Sequence, residues 1–305
     1  MNISSPSGRS EKNRVCYSRV REEVLWEKQN SIHLPSCEKP SGKPMKPFRV
    51  LDPTHAGQVA PGLCALAIMT KAPRPGQVKT RLVPPLTPNE AAELNECFLH
   101  DTASSIIKAC CSDARRLPIA AGIAVYTPAG TEQAYSDILP SSFSLLPQRG
   151  DKFGERLYLA AEDLFRCGFE SVCLIDSDSP TVSAENFATA VEWLNTSDDR
   201  VVLGPSDDGG YYLIGLKRPH QEVFEKIAWS TERVLEQTIK RAAELDLEVK
   251  LLPPGYDVDD AASLRCLCNE LLRDNARTDI APSTRKFLRE LIAQKKLSSA
   301  LSALL

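Results

Sequence analysis

Histidine is scarce in this chain, with four in 305 residues. His33, His55, His100 and His220 are too scattered to suggest a His-based metal centre or a nucleophile-histidine triad. No apolar run reaches the ~20 residues that a membrane-spanning helix needs. Nor is there a continuous apolar segment of the kind a secretory signal requires, and Glu22, Glu23 and Glu27 fit poorly with an organellar transit peptide. Excess charge is lacking too. A net charge of −3 with a pI near 5.9 argues against a general nucleic-acid binder. Cysteine is present, ten in all, but without the spacing of a zinc site or a disulfide framework: Cys110 and Cys111 are adjacent, Cys266-x-Cys268 is tight, and Cys64 and Cys173 fall inside apolar runs. Reduced, buried thiols in a cytoplasmic protein are the expectation.

The chain does carry enough apolar material, 42%, for a sizeable core. Residues 1–61 are rich in Ser, Pro, Lys and Glu and are expected to form a poorly ordered extension, with Met45 as an alternative start. Residues 62–264 alternate apolar runs of strand length (63–69, 119–126, 143–146, 172–175, 200–203, 211–216, 247–252) with helical stretches (87–111, 155–165, 183–194, 232–245, from 261). That alternation predicts an α/β, doubly wound, mostly parallel sheet of Rossmann-like type. Thr87-Pro88-Asn89-Glu90 reads as a capped helix start, and Ser230 or Thr231 as another N-cap. Residues 265–305 form a helical tail, packed on the domain or trailing it.

The chemistry gathers where these strands end. The run Val172-Cys173-Leu174-Ile175 leads straight into Asp176-Ser177-Asp178-Ser179-Pro180. Pro180 forces the chain to turn, leaving two carboxylates at the carboxyl edge where open α/β sheets bind ligands. Their alternate spacing on an extended backbone would place Asp176 and Asp178 on one side, able to hold a hard cation that bridges to phosphate. After the first long strand comes a proline-stiffened loop with four cations, Lys71, Arg74, Lys79 and Arg81, around Gly76 and Thr80. Such a loop suits a polyphosphate, although it lacks the spacing of the ordinary P-loop. Gln148 to Arg156, with Gly154 and Glu155, opens a helix whose first N–H groups would face the same edge. Asp207-Asp208-Gly209-Gly210-Tyr211 forms a second acidic corner, which reads equally as a structural hairpin turn. Trp229 is a stacking or core residue, and Asp257-Val258-Asp259 is a second Asp-x-Asp at a strand-to-helix corner.

Taken together, Lys71-Ala-Pro-x-Pro-Gly76-x-Val-Lys79-Thr80-Arg81-Leu82, Gly154-Glu155-Arg156, Asp176-Ser-Asp178-Ser-Pro180, Asp207-Asp208-Gly209-Gly210-Tyr211-Tyr212, Trp229-Ser230-Thr231 and Asp257-Val-Asp259 resemble a GT-A-like transferase family. That family is catalogued as glycosyltransferases or radical-SAM/selenodomain-associated transferases, and is similar to the molybdenum-cofactor and 2-phospholactate guanylyltransferases. The resemblance implies a GT-A, nucleotide-diphospho-sugar transferase-like fold. It implies that Lys71, Gly76, Lys79, Thr80, Arg81, Gln148, Gly154, Glu155 and Arg156 bind the nucleotide and its phosphates. Mg²⁺ or Mn²⁺ would be held by Asp176, Asp178, Asp257 and Asp259, with Asp178 the first choice because many members carry glycine at the position of Asp176. Asp207, Gly209, Gly210, Tyr211, Trp229, Ser230 and Thr231 would line the donor and acceptor pocket, with Asp208, Asp178 and Lys79 catalytic. Two chemistries fit: glycosyl transfer from a nucleotide sugar to a small acceptor, or nucleotidyl transfer from an NTP to a phosphorylated small molecule. A non-catalytic nucleotide-binding protein is the third possibility. Neither nucleic acid nor membrane is expected as a partner.

Overall fold

The computed structural model describes residues 48–110 and 119–295. Within them an eight-stranded sheet runs in the order β1-β4-β3-β2-β5-β7-β6-β8. The strands are β1 (Arg49–Val50), β2 (Cys64–Lys71), β3 (Ala120–Thr127), β4 (Ser144–Pro147), β5 (Ser171–Ile175), β6 (Arg200–Pro205), β7 (Tyr211–Leu216) and β8 (Glu248–Leu251). Only β7 runs against its neighbours, pairing antiparallel with both β5 and β6. The remaining pairs are parallel. This is the mostly parallel α/β sheet that the alternating pattern predicts.

Helices α1 (Pro88–Cys110), α2 (Phe153–Cys167), α3 (Ala184–Leu194), α4 (Val234–Ala243), α5 (Ala261–Leu272) and α6 (Pro282–Lys295) cover the sheet and its flank. The central strands are apolar on both faces because both are covered. Leu66, Ile68, Cys173 and Ile175 pack with Leu99, Ile106 and Phe187 on one side; Ala65, Ala67, Val172 and Leu174 pack with Leu157, Ala161 and Leu164 on the other. Each fully buried Leu or Ile contributes about 1.5–3 kcal/mol relative to exposure. Cys64 and Cys173 are buried free thiols, as their apolar surroundings suggest.

A third cluster fixes the site. Leu82 and Leu86, just after the basic loop, pack with Leu94 and Phe98 of α1, Val258 between two of the acids, Leu264 and Leu267 of α5, and Leu288 and Leu291 of α6. One apolar core therefore anchors both the cationic and the acidic segment.

Several boundaries differ from the sequence reading. Order starts before residue 62: Arg49 and Val50 pair with Ser144 and Leu145, and Leu51 is buried. A two-residue strand carries too little periodicity to be read from sequence. The rest of the expected extension, 1–47, lies outside the described residues, as do 296–305. The expected break at 264 falls inside α5, and α6 packs into the third cluster. The Thr87 cap forms as read, with the Glu90 amide donating to Thr87 Oγ1 and the Thr87 amide to the Glu90 carboxylate. The cap expected at Ser230 or Thr231 does not: α4 starts at Val234 with Arg233 at the cap position and no side-chain bond. Thr231 Oγ1 instead closes a local turn, accepting from the Arg233 amide and donating to the Ala228 carbonyl.

Candidate active site

The parallel strands deliver their functional residues to one edge. Lys71 ends β2, Asp176 to Ser179 follow β5, Ser206 to Gly210 follow β6, and Asp257 to Asp259 follow β8 after Pro253, Pro254 and Gly255. Tyr211, at the start of the reversed β7, reaches the same edge. This is the carboxyl edge at which open α/β sheets form their crevices.

Lys79 is the hub. It adopts a left-handed conformation (φ 48°), which turns its side chain inward, where it is 4% exposed. Its ammonium lies 2.8 Å from Asp178 Oδ1 and 3.0 Å from Asp259 Oδ1, and donates to the Val258 carbonyl at 2.8 Å. It also sits 5.5 Å from the centre of the Phe98 ring. Burial alone would push its pKa down, but Asp178 and then Asp259 outweigh burial and hold it above its usual value. The Val258 amide donates to the Asp178 carbonyl at 2.9 Å. Three segments about 80 residues or more apart in sequence are thus tied at one point.

On one side of this knot lies a basin of about 260 Å³ lined by Lys71, Gln77, Val78, Lys79, Thr80, Arg81, Asn95, Ser177, Asp178 and Asp259. On the other lies a larger one of about 530 Å³, with Met69, Phe153, Leu157, Tyr211 and Trp229 on its apolar side and Asp176, Asp208, Asp257 and Glu232 among its polar residues. Arg81, Ser177, Asp178 and Asp259 line both. The two are halves of one cleft that meet at the acids.

Asp176 is not arranged as an extended Asp-x-Asp would have it. β5 ends at Ile175, and the Asp176 carboxylate folds back over the next turn. It accepts from the Asp178 and Ser179 amides at 3.3 and 3.2 Å and from Ser179 Oγ at 2.8 Å. This bonding shapes the turn that presents Asp178. Burial first, then the neighbouring Asp178, pushes the Asp176 pKa up to about 8. Asp257 is also pushed up, by burial and then by Asp208 and Asp259, while Ser206 Oγ donates to it at 3.1 Å. Asp208 accepts from the Gly210 amide at 2.8 Å.

The raised pKa of Asp176 has a testable consequence. A carboxyl whose folded pKa exceeds its unfolded value favours the fold while protonated, and that contribution is lost as pH rises from about 4 through about 8. Without divalent metal, the melting temperature of Asp176→Asn relative to wild type is expected to rise over that window. A pH-independent difference would show that the carboxyl ionises normally.

The acidic corner is held by close packing. Gly209 has φ +85°, and a Cβ there would stand 2.2 Å from the Glu232 carbonyl oxygen, so only glycine fits. The Leu235 amide bonds the Gly209 carbonyl at 2.9 Å, docking the corner on the chain entering α4. Trp229 stacks edge-on against Phe153 at 5.1 Å and lies over Gly154, where a Cβ would approach its Nε1 to 2.5 Å.

Other expected residues lie apart from the cleft lining. Gly76 and Asp207 are exposed and border neither basin. Gln148 borders neither basin, and its backbone N–H donates to the Tyr126 carbonyl. Glu155 accepts from the Asp151 and Lys152 amides, and Arg156 donates to the Gly150 and Asp151 carbonyls. Both stabilise the loop before α2. Residues the sequence reading missed include Ser177, Ser206, Phe153, Glu232 and Asn95. Asn95 left a signal: it is a polar residue on the buried face of α1, among Ala91, Leu94, Phe98 and Leu99, and its Oδ1 is buried without a hydrogen-bond partner.

Among the described residues no three His, Cys, Asp or Glu side chains converge as a ready-made metal cage. Asp178 and Asp259 nevertheless both point at one cation, the Lys79 ammonium, and both border the cleft. Mg²⁺ is commonly held by one or two carboxylates together with substrate phosphates. The pair fits a cation that arrives with a nucleotide.

Residues 112–231 match a family model described as an uncharacterized protein conserved in bacteria (DUF2064). No curated protein matches the chain. The crystal structure of a candidate nucleotide-diphospho-sugar transferase from Desulfovibrio desulfuricans is similar at 29% identity and a TM-score of 0.66, covering 78% of this chain and 98% of that one. A mannosyltransferase from Pyrobaculum calidifontis, solved with GDP-Man and Mn²⁺, matches at 14% identity and a TM-score of 0.41, covering 85% and 82%. A cytidylyltransferase from Leptospira borgpetersenii matches at 9% and 0.41, covering 77% and 96%. The chain has the nucleotide-diphospho-sugar transferase fold, and its likeness to the GT-A-like transferases, first read from its motifs, stands.

Proposed function

We propose that this chain is a divalent-metal-dependent transferase that moves a glycosyl group from a nucleotide sugar to a small acceptor. One observation carries the reading: a basic basin and an acid-and-aromatic basin meet at Asp178, Asp259 and Arg81. Lys71, Thr80 and Arg81 would hold the diphosphate. Asp178 and Asp259 would hold Mg²⁺ or Mn²⁺, which when bound neutralises charge on the departing diphosphate. The donor sugar would then extend past the junction into the larger basin, against the Trp229 and Phe153 rings. Asp208 borders that basin and would orient the acceptor hydroxyl and take its proton.

Nucleotidyl transfer draws its main support in sequence from four cations in one loop, enough for a triphosphate. Lys79 is engaged by two carboxylates, and Arg74 borders neither basin. Lys71 and Arg81 remain, and two cations suit a diphosphate better. With Mn²⁺ and panels of nucleotide sugars and NTPs, release of a nucleoside diphosphate from a nucleotide sugar is expected. Pyrophosphate release from an NTP, with every nucleotide sugar untouched, would establish the other chemistry. Binding without either release would leave a non-catalytic nucleotide binder.

Arg81 is 69% exposed and makes only a 3.7 Å approach to Asp259, so its guanidinium is available to a phosphate. Arg81→Ala is expected to weaken nucleotide binding roughly ten- to a hundredfold, the worth of one charged hydrogen bond at about 1.5–3 kcal/mol. Unchanged affinity in calorimetry would return Arg81 to the surface.

A further inference from the structure

The charge in the cleft is divided rather than mixed. Among the described residues the one cation bordering the larger basin is Arg81, at the junction with the smaller basin. Six acidic residues line the same basin: Asp176, Asp178, Asp208, Glu232, Asp257 and Asp259. Lys79 offsets Asp178 and Asp259 from behind, and a metal would offset them further. Asp208 accepts from the Gly210 amide and Asp257 from Ser206 Oγ, and among the described residues no Lys, Arg or His forms an ion pair with Asp208, Asp257 or Glu232. Aromatic rings line the same basin, with Trp229 set edge-on to Phe153, itself 56% exposed.

We propose that the acceptor of this enzyme carries no phosphate: it is a neutral polyhydroxylated molecule or one bearing an amine, recognised by the Asp208, Asp257 and Glu232 carboxylates and an apolar face against Trp229. This rests on the glycosyl-transfer reading and names the substrate class of the same site. A phosphorylated acceptor would bring a second anion between a diphosphate on one side and carboxylates without a paired cation on the other. Like charges juxtaposed this way disfavour the partner, whereas hydroxyl or ammonium donors satisfy the carboxylates. Carboxylate acceptors with an aromatic wall match a sugar's hydroxyl rim and its C–H face. In the transfer, the acceptor oxygen bonds to the donor's anomeric carbon and the bond from that carbon to the diphosphate oxygen breaks. The diphosphate leaves with the bonding electron pair, and the acceptor's proton passes to Asp208.

The test offers acceptors in matched sets, glucose, glucosamine and glucose 6-phosphate, then glycerol and glycerol 3-phosphate, with Mn²⁺ and the nucleotide sugar that supports turnover. Nucleoside diphosphate release is read for each. The neutral or amino member is expected to exceed its phosphorylated counterpart at least tenfold in kcat/KM. Glu232→Lys, a change at an exposed position, is expected to narrow that ratio by raising the phosphorylated member. If no set is turned over, the same probes are titrated calorimetrically into enzyme holding nucleoside diphosphate and Mn²⁺, with the same order expected in affinity. A phosphorylated member equal to or better than its partner, or failure of every neutral and amino member to react or bind, overturns the inference while leaving glycosyl transfer in place. Pyrophosphate release from an NTP with glucose 6-phosphate, and no use of nucleotide sugars, overturns both.

Discussion

Lys79→Met is expected to lower stability by about 3 kcal/mol, the low end of the range for leaving a buried ion pair unpaired, since both carboxylates reach the cleft. Methionine keeps the apolar stem and its contact with Phe98, so the change isolates the charge. Asp178 and Asp259, each within 3.0 Å of one ammonium, would then face each other across an empty position, and the Val258 carbonyl would lose its donor. For a domain of this size the melting temperature should fall by roughly 6–12 °C. The loss should also depend on metal. A divalent cation can take the vacated position in the variant, so Mn²⁺ should raise the variant's melting temperature more than the wild type's. An unchanged melting temperature with and without Mn²⁺ would mean that the ammonium does not hold the site together.

That role for Lys79 was not legible in the sequence, and the reason is physical. A lysine in a proline-stiffened loop between other cations reads as one more phosphate ligand. What makes it a staple is a left-handed backbone at position 79 and two acids supplied by segments 178 and 259. Neither feature is local. The apolar runs behaved differently: β2, β3 and β5 are buried on both faces, so composition alone located them to within a residue or two. Asp176 misled because period-two logic holds only while the strand continues. The strand stops at Ile175, and the carboxylate is free to accept from the amides of the turn that follows it. Glu155 and Arg156 belong to a motif yet spend their hydrogen bonds on the loop at Gly150 to Lys152. Motif membership located the right loop without saying what its side chains do there.

The same geometry separates the two acids that the sequence pairs. Asp176 bonds to the backbone: its contacts are to the amides and hydroxyl of the next turn, and burial, then the neighbouring Asp178, holds its pKa above the usual carboxylate range. Asp178 works through space. Its partners, Lys79 and Ser177, both meet Oδ1, and the residue borders both halves of the cleft. A cation arriving with a nucleotide would meet Asp178 where the two halves join.

Asp178→Asn is therefore expected to reduce kcat by at least about a hundred- to a thousandfold, the range for removing one electrostatic contact that acts on the departing group. The fold should survive. Asparagine has the same shape, the bond from the Val258 amide uses the Asp178 carbonyl rather than its side chain, and Lys79 keeps Asp259. Two measurements distinguish loss of metal from loss of structure. Nucleotide affinity without divalent cation should stay close to wild type, because Lys71 and Arg81 are untouched. The enhancement of that affinity by Mn²⁺ should shrink sharply, since one of two converging carboxylates is gone. Asp176→Asn gives the contrast: its amide oxygen can still accept from Asp178 and Ser179, so it should keep most of the Mn²⁺ enhancement. Were the two substitutions to cost equal Mn²⁺ enhancement and equal kcat, Asp176 would be a metal ligand after all and the turn geometry would have been misassigned. Were Asp178→Asn to retain full turnover at saturating Mn²⁺, the junction between the two basins would not be where the donor bond breaks.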